Sequence, residues 1–232
     1  MITFTRKLIR QIRIDGVFGV IAKVPIWLRT QQETRIERQL GIATMGRVEV
    51  AEAARAGVSP QHMSNAVFYA PLQFAKFDRL MRAARPYDPA HYTFIDYGAG
   101  KGRALALACG MGFRKVIGVE LFESLCGQAR DNIAALALRE PRAADIELFC
   151  MDAASYTPPP GNLFCYFYNP FDQLVMRKVL ARLEAACRAE PRSIIIAYSN
   201  PQHAAVFDSA PFLMPRYRSD VMCIYVGDGQ SP

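Results

Sequence analysis

From residue 92 onward, apolar runs of strand length alternate with amphipathic stretches of helix length. Tyr92 to Tyr97, Lys115 to Val119, Asp145 to Phe149, Leu163 to Tyr168, Ser193 to Tyr198 and Val221 to Val226 read as buried strands. Between them, Arg103 to Gly110, Glu123 to Arg139, Gln173 to Ala189 and Pro201 to Asp208 read as helices. In the second of these, Leu125, Ala129, Ile133 and Leu136 recur at helical spacing and mark the inward face. Strands separated by helices of this length predict an α/β fold with a doubly wound, mostly parallel sheet.

The pattern upstream is helical. Residues 2–13 place Ile2, Phe4, Leu8, Ile9 and Ile12 on one arc and Arg6, Lys7, Arg10 and Arg13 on the other, an amphipathic helix. Residues 30–58 are polar and helix-compatible up to a break at Gly57 to Pro60. Residues 71–85 read as a helix with Pro71 in its first turn and Pro86 and Pro89 beyond its end. The expected organisation is a helical N-terminal extension or cap over residues 1–90, followed by an α/β domain over 91–232.

Charge sharpens that division. Residues 1–90 hold 14 Lys and Arg against 7 Asp and Glu, and the whole net charge of +7 therefore lies there. Such a segment suits an anionic macromolecule or a membrane surface, and equally a solvated basic face. The helix over 2–13 could lie on such a surface or dock on its own protein, and docking is the commoner use of that pattern. Val17 to Leu28 is apolar but interrupted by Lys23 and Pro25, without a cleavage signature, so a cytoplasmic protein is expected, peripheral at a membrane if residues 2–13 bind one. The six cysteines form no C-x-x-C pair and the three histidines are far apart, so reduced thiols and no metal are expected.

Chemistry concentrates where the strands end. After the first strand comes Asp96-Tyr97-Gly98-Ala99-Gly100-Lys101-Gly102, a turn in which glycines let a ligand approach the backbone. The helix that follows offers N–H groups to a carboxylate. The second strand ends in Val119-Glu120, and a carboxylate here can accept from two ribose hydroxyls. The third is followed by Met151-Asp152-Ala153, where Asp152 can accept from an adenine amino group while Met151 packs on the ring. The fourth ends in Tyr168-Asn169-Pro170-Phe171, which puts polar and aromatic groups at the mouth of the site. Asp172 reads as the cap of the next helix rather than as a base. Tyr69 either folds over the site or is a core aromatic. Two rival motifs fail on spacing. The dinucleotide fingerprint needs Gly where Arg103 stands, and the phosphate loop needs Gly where Ile95 stands and a hydroxyl at Gly102. What remains suits a cofactor without a pyrophosphate.

These residues resemble those of the class I S-adenosylmethionine (SAM)-dependent methyltransferases. Phe94 to Gly102 is similar to their first motif, D-x-G-x-G-x-G, with every fixed position present. Val116 to Glu120, Met151-Asp152 and Asn169-Pro170-Phe171 are similar to the three that follow, and the likeness spans residues 92–226. It is greatest to bacterial members of unassigned substrate and more distant to non-SET lysine methyltransferases. The resemblance implies SAM as cofactor, with Asp96, Gly98, Ala99, Gly100 and Gly102 at its methionine end. Glu120 and Leu121 would lie at the ribose and Met151, Asp152 and Ala153 at the adenine, with Asn169 and Tyr69 also in contact. Asn169 and Tyr168 would orient the methyl acceptor, a protein amine or a small molecule. The fourth motif lacks the second Pro of the [DN]-P-P-[YF] enzymes that methylate adenine or glutamine amides. Alternatives are a non-catalytic SAM- or nucleotide-binding module and, against Arg103, a nicotinamide-dependent oxidoreductase.

Overall fold

The computed structural model describes residues 27–46, 72–85 and 87–227. The chain divides into two compact units, Met1–Gln39 and Leu40–Pro232. Described residues of the first unit belong to a helix, α1, over residues 27–40. The expected helix over 2–13, its charged face and Tyr69 all lie outside the described residues.

The second unit is built on a sheet of seven strands. In chain order these are β1 (Tyr92–Tyr97), β2 (Lys115–Glu120), β3 (Glu147–Cys150), β4 (Asn162–Tyr168), β5 (Ile194–Ser199), β6 (Met214–Arg218) and β7 (Met222–Gly227). Among the described residues, the α-helices of this unit are α2 (Phe74–Ala83), α3 (Arg103–Cys109), α4 (Glu123–Ala137), α5 (Gln173–Ala189) and α6 (Ala204–Asp208). The spatial order is β3-β2-β1-β4-β5-β7-β6. The first five in this order run parallel, and β7 and β6 reverse in turn. This is the doubly wound, mostly parallel sheet that the periodicity predicts.

The central strands read as unbroken apolar runs because both of their faces are covered. On one face, Phe94, Phe164, Tyr166 and Ile195 meet Phe77 and Leu80 of α2 and Leu105 and Ala108 of α3. On the other, Ile95, Tyr97, Cys165, Phe167 and Ile196 meet Val179, Leu180 and Leu183 of α5 and Phe207 of α6. Tyr97 and Phe167, neighbours in register across β1 and β4, stack with ring centroids 4.9 Å apart. The strand order turns back between β1 and β4, so the loops after these two strands diverge to opposite faces and leave a crevice.

Two expectations need correction. The helix expected over 30–58 stops at residue 40: Gly41 takes a φ of +75° and residues 42–45 run without regular structure. A glycine in that conformation is a common helix terminator. The second correction is β6, which no sequence pattern announces. All five of its residues are exposed, so it has no buried face to create alternation, and Pro215 stands where only an edge strand or an irregularity tolerates it. The register shift lies at that point, between Pro215 and Tyr217.

Phe94 is fully buried and touches four aromatic rings, those of Phe77, Phe113, Phe164 and Tyr166. Phe94→Ala is expected to lower unfolding free energy by about 3–5 kcal/mol, the usual cost of emptying such a position. Urea denaturation would measure it, and a loss under about 1 kcal/mol would mean that the cluster repacks.

Candidate functional site

The sheet register delivers the sequence motifs to one edge. Tyr97 pairs with Val119 on one side and Phe167 on the other, and Glu120 pairs with Cys150. The residues just beyond these pairs are therefore neighbours in space. The N–H groups of Gly98 and Ala99 both donate to the Val119 carbonyl, at 2.8 and 3.0 Å, which turns the chain sharply off β1. Gly98 has a φ of +91°, and a Cβ there would stand 2.4 Å from the Cβ of Pro170. Only glycine lets the loops after β1 and β4 approach this closely. Gly100 and Gly102 also have positive φ, and Gly102 leads directly into α3.

Glu120 ties the loops together. One carboxylate oxygen accepts from the Gly100 N–H at 2.8 Å and the other from the Phe122 N–H at 3.0 Å. Its own carbonyl accepts from the Met151 N–H at 2.8 Å, which holds the loop after β3. Only 6% of Glu120 is exposed. Burial pushes its carboxyl above the ordinary range, and the bonds from Phe122 and Gly100 oppose that rise. Leu121 is half-buried beside it.

Asp96 is more isolated. It is 3% exposed, and no hydrogen bond or cation is among the causes that set its pKa. Burial raises its pKa well above the usual carboxylate value, and the nearby charge of Glu120 raises it further. Two buried acids thus face a crevice with little positive charge bound to them. Such an arrangement is unfavourable alone and suits a cationic ligand.

The remaining expected residues occupy different positions around this pair. Asp152 caps a short 3-10 turn, accepting from the Ala154 N–H at 2.8 Å, and Met151 is half-buried against the core. Ala153 is buried in that core, among the residues that meet α5. Asn169 is 1% exposed and has a φ of +44°. Its Oδ1 accepts from the Tyr198 hydroxyl at 3.1 Å, and that hydroxyl accepts from the His203 N–H at 3.2 Å. The Asn169 Nδ2 is buried and has no partner among the described residues. A buried amide N–H left unpaired is rare and costly. Tyr168 is half-buried and its hydroxyl pKa is raised by burial. Asp172 accepts from the Val175 N–H at 2.9 Å and is the N-cap of α5, as its position suggested.

Three polar residues escaped the sequence reading. Asn132 of α4 pairs with the backbone of Ala43, accepting at 2.7 Å, and donates to the Lys101 carbonyl at 2.9 Å. Lys101 Nζ donates to the Met45 carbonyl at 3.1 Å. Arg103 is buried, hydrogen-bonded to Thr44 Oγ1 and the Leu72 carbonyl, with its guanidinium 4.5 Å from the centre of the Phe74 ring. Together they clamp residues 42–46 onto the glycine loop. A polar residue at 132, within the apolar stripe of α4, was the available signal.

No family model and no curated protein matches the chain. Solved structures similar to it include a ribosomal protein L11 methylase from Lactobacillus delbrueckii subsp. bulgaricus. That match has 12% identity and a TM-score of 0.48 over 69% of this chain and 80% of the other. An RNA methyltransferase from Salinibacter ruber, in complex with S-adenosyl-L-homocysteine, matches at 18% identity and a TM-score of 0.43, over 68% of this chain and 93% of that one. A TehB-like SAM-dependent methyltransferase from Corynebacterium glutamicum matches at 15% identity and a TM-score of 0.42, over 66% and 86%.

Burial of Asp96 has a measurable consequence in the free protein. The folded chain holds its proton to higher pH than the unfolded chain does. Its contribution to stability is thus fully present below the ordinary carboxylate range and is lost as pH rises to the elevated folded value. Asp96→Asn removes that loss. The variant is expected to melt higher than the parent at neutral pH and to show a flatter dependence of melting temperature on pH. A lower melting temperature at neutral pH would show that the carboxylate is internally compensated.

Proposed function

We propose that the chain is a SAM-dependent methyltransferase. The observation that carries this reading is the buried carboxylate of Asp96 beside Glu120 at the mouth of a glycine turn. SAM is cationic at its ammonium and its sulfonium, and both charges are stabilised by such a pair. A dinucleotide would instead bring a pyrophosphate against two acids. The resemblance of the four strand-end motifs to the class I enzymes supports the same choice.

In this reading Asp96 and the glycine turn hold the methionine end. Glu120 uses one lone pair on each oxygen for Gly100 and Phe122, and a carboxylate offers about four acceptor sites, so ribose hydroxyls still find acceptors. Asp152 and Met151 flank the adenine. When bound, SAM supplies an electrophilic methyl group on a positively charged sulfur. The chain's task is then placement: holding donor and acceptor in line lowers the barrier by several kcal/mol without a covalent step. Asn169, its amide oxygen fixed by Tyr198, presents its unpaired Nδ2 and its backbone carbonyl to the acceptor, and Tyr168 stands beside it. Asp172 is committed to the helix cap and is not available as a base. The absence of a second Pro after Asn169 favours an acceptor other than a planar amide, and we favour a protein amine or a small molecule.

Calorimetry with SAM and with NAD tests this reading. SAM is expected to bind and NAD is not, and tight NAD binding without SAM heat would overturn it. Glu120→Ala should weaken SAM binding by about 1–3 kcal/mol, the scale of hydrogen bonds to a charged group, and Asp172→Ala by less. Because the cation favours ionised Asp96 and Glu120, binding releases protons. Affinity is therefore expected to rise with pH from the ordinary carboxylate range up to the raised values, and a flat profile would contradict the charge argument.

The basic excess of residues 1–90 supports an anionic acceptor or surface as partner. Deleting residues 1–15 should then lower activity on the true acceptor and flatten its salt dependence, leaving SAM affinity unchanged. Unaltered salt dependence would count against recruitment.

A further inference from the structure

At the turn from β2 to α4 the fold gathers three side chains whose sequence spacing gives no hint of it. The carboxylate of Glu123 and the thiols of Cys126 and Cys150 all lie within 4.8 Å of one another. Glu123 and Cys126 stand three residues apart in the first turn of α4 and so share a face. Cys150 ends β3, and its register with Glu120 brings it to the same corner. Both sulfurs are turned toward this corner: Cys126 donates to the Glu120 carbonyl at 3.6 Å and Cys150 to the Leu121 carbonyl at 4.0 Å. Cys126 is buried, Cys150 half-buried and Glu123 exposed, which leaves one side of the cluster open to solvent.

We propose that Glu123, Cys126 and Cys150 bind one zinc-type divalent cation, with water as the fourth ligand. Two sulfurs and a carboxylate oxygen form a donor set suited to a borderline-soft ion. Tetrahedral zinc places bound sulfurs about 3.8 Å apart, so the side chains need to close by at most about 1 Å. Rotation of exposed Glu123 and half-buried Cys150 supplies that movement. On binding, each thiol gives its proton to solvent. Two thiolates and one carboxylate then exceed the ion's charge by one, and Arg130, 2.7 Å from Glu123 Oε1, balances the excess. The ion would pin the turn whose Phe122 N–H bonds to Glu120.

The test uses the full-length protein, reduced and stripped with a chelator, then titrated with Co2+ and afterwards Zn2+. One equivalent of cobalt is expected to give thiolate-to-metal absorption in the near ultraviolet and tetrahedral visible bands, both removed by zinc. Cys150→Ser and Glu123→Gln change accessible positions, so far-ultraviolet circular dichroism should show them folded. Each should weaken cobalt binding about tenfold or more, on the scale by which metal sites lose affinity when their shell is altered. No stoichiometric uptake, or uptake unchanged in folded Cys150→Ser, overturns the proposal. So does a Cys126–Cys150 disulfide forming readily under mild oxidation in a protein that takes up no metal.

Discussion

Two buried acids share the interior at the head of this sheet, and the surroundings are arranged around that cost. Asp96 and Glu120 end adjacent parallel strands, so the sheet itself fixes them as neighbours. Glu120 is compensated from the backbone, by N–H groups of the glycine loop and of the turn into α4. Asp96 is not, and burial raises its pKa well above the usual carboxylate range. A sequence selected for stability alone would not keep a buried acid without compensation at the end of a central strand.

The same carboxylate of Glu120 gives the site its rigidity. It spans from β2 to the loop after β1, while its carbonyl holds the loop after β3. Pro170 closes the fourth side against Gly98. Removal of the side chain would therefore loosen the glycine turn as well as delete an acceptor.

Most of this geometry was legible because it follows from local rules. Strands buried on both faces must be apolar along their length, and their ends must carry whatever chemistry the protein has. Asp172 was readable as a cap because capping depends on the next three residues. The clamp over residues 42–46 was not readable, since Asn132 and Ala43 lie 89 residues apart and only packing brings them together. Arg103 illustrates the point. Its presence excluded a dinucleotide fingerprint, but the sequence could not say that it reaches back to Thr44 and Leu72. The grouping of Cys126 with Cys150 likewise depends on strand register, and Tyr69 and the amphipathic stretch at 2–13 lie outside the described residues. β6 eluded the pattern for the opposite reason, having no buried side at all.

That unheralded strand determines how the sheet meets its surroundings. An edge strand offers a row of unpaired backbone groups to any other extended chain, and such edges seed aggregation when they are flat and apolar. Here the edge runs Met214, Pro215, Arg216, Tyr217 and Arg218, all exposed, with a register break beside a residue that has no N–H to offer. The opposite edge, β3, is only four residues long. Two arginines, a proline and a kink at one border, and brevity at the other, make sheet-to-sheet stacking of separate molecules unfavourable. The composition of β6 is thus best understood as a safeguard of solubility, acting on encounters between molecules rather than on the fold of any one of them.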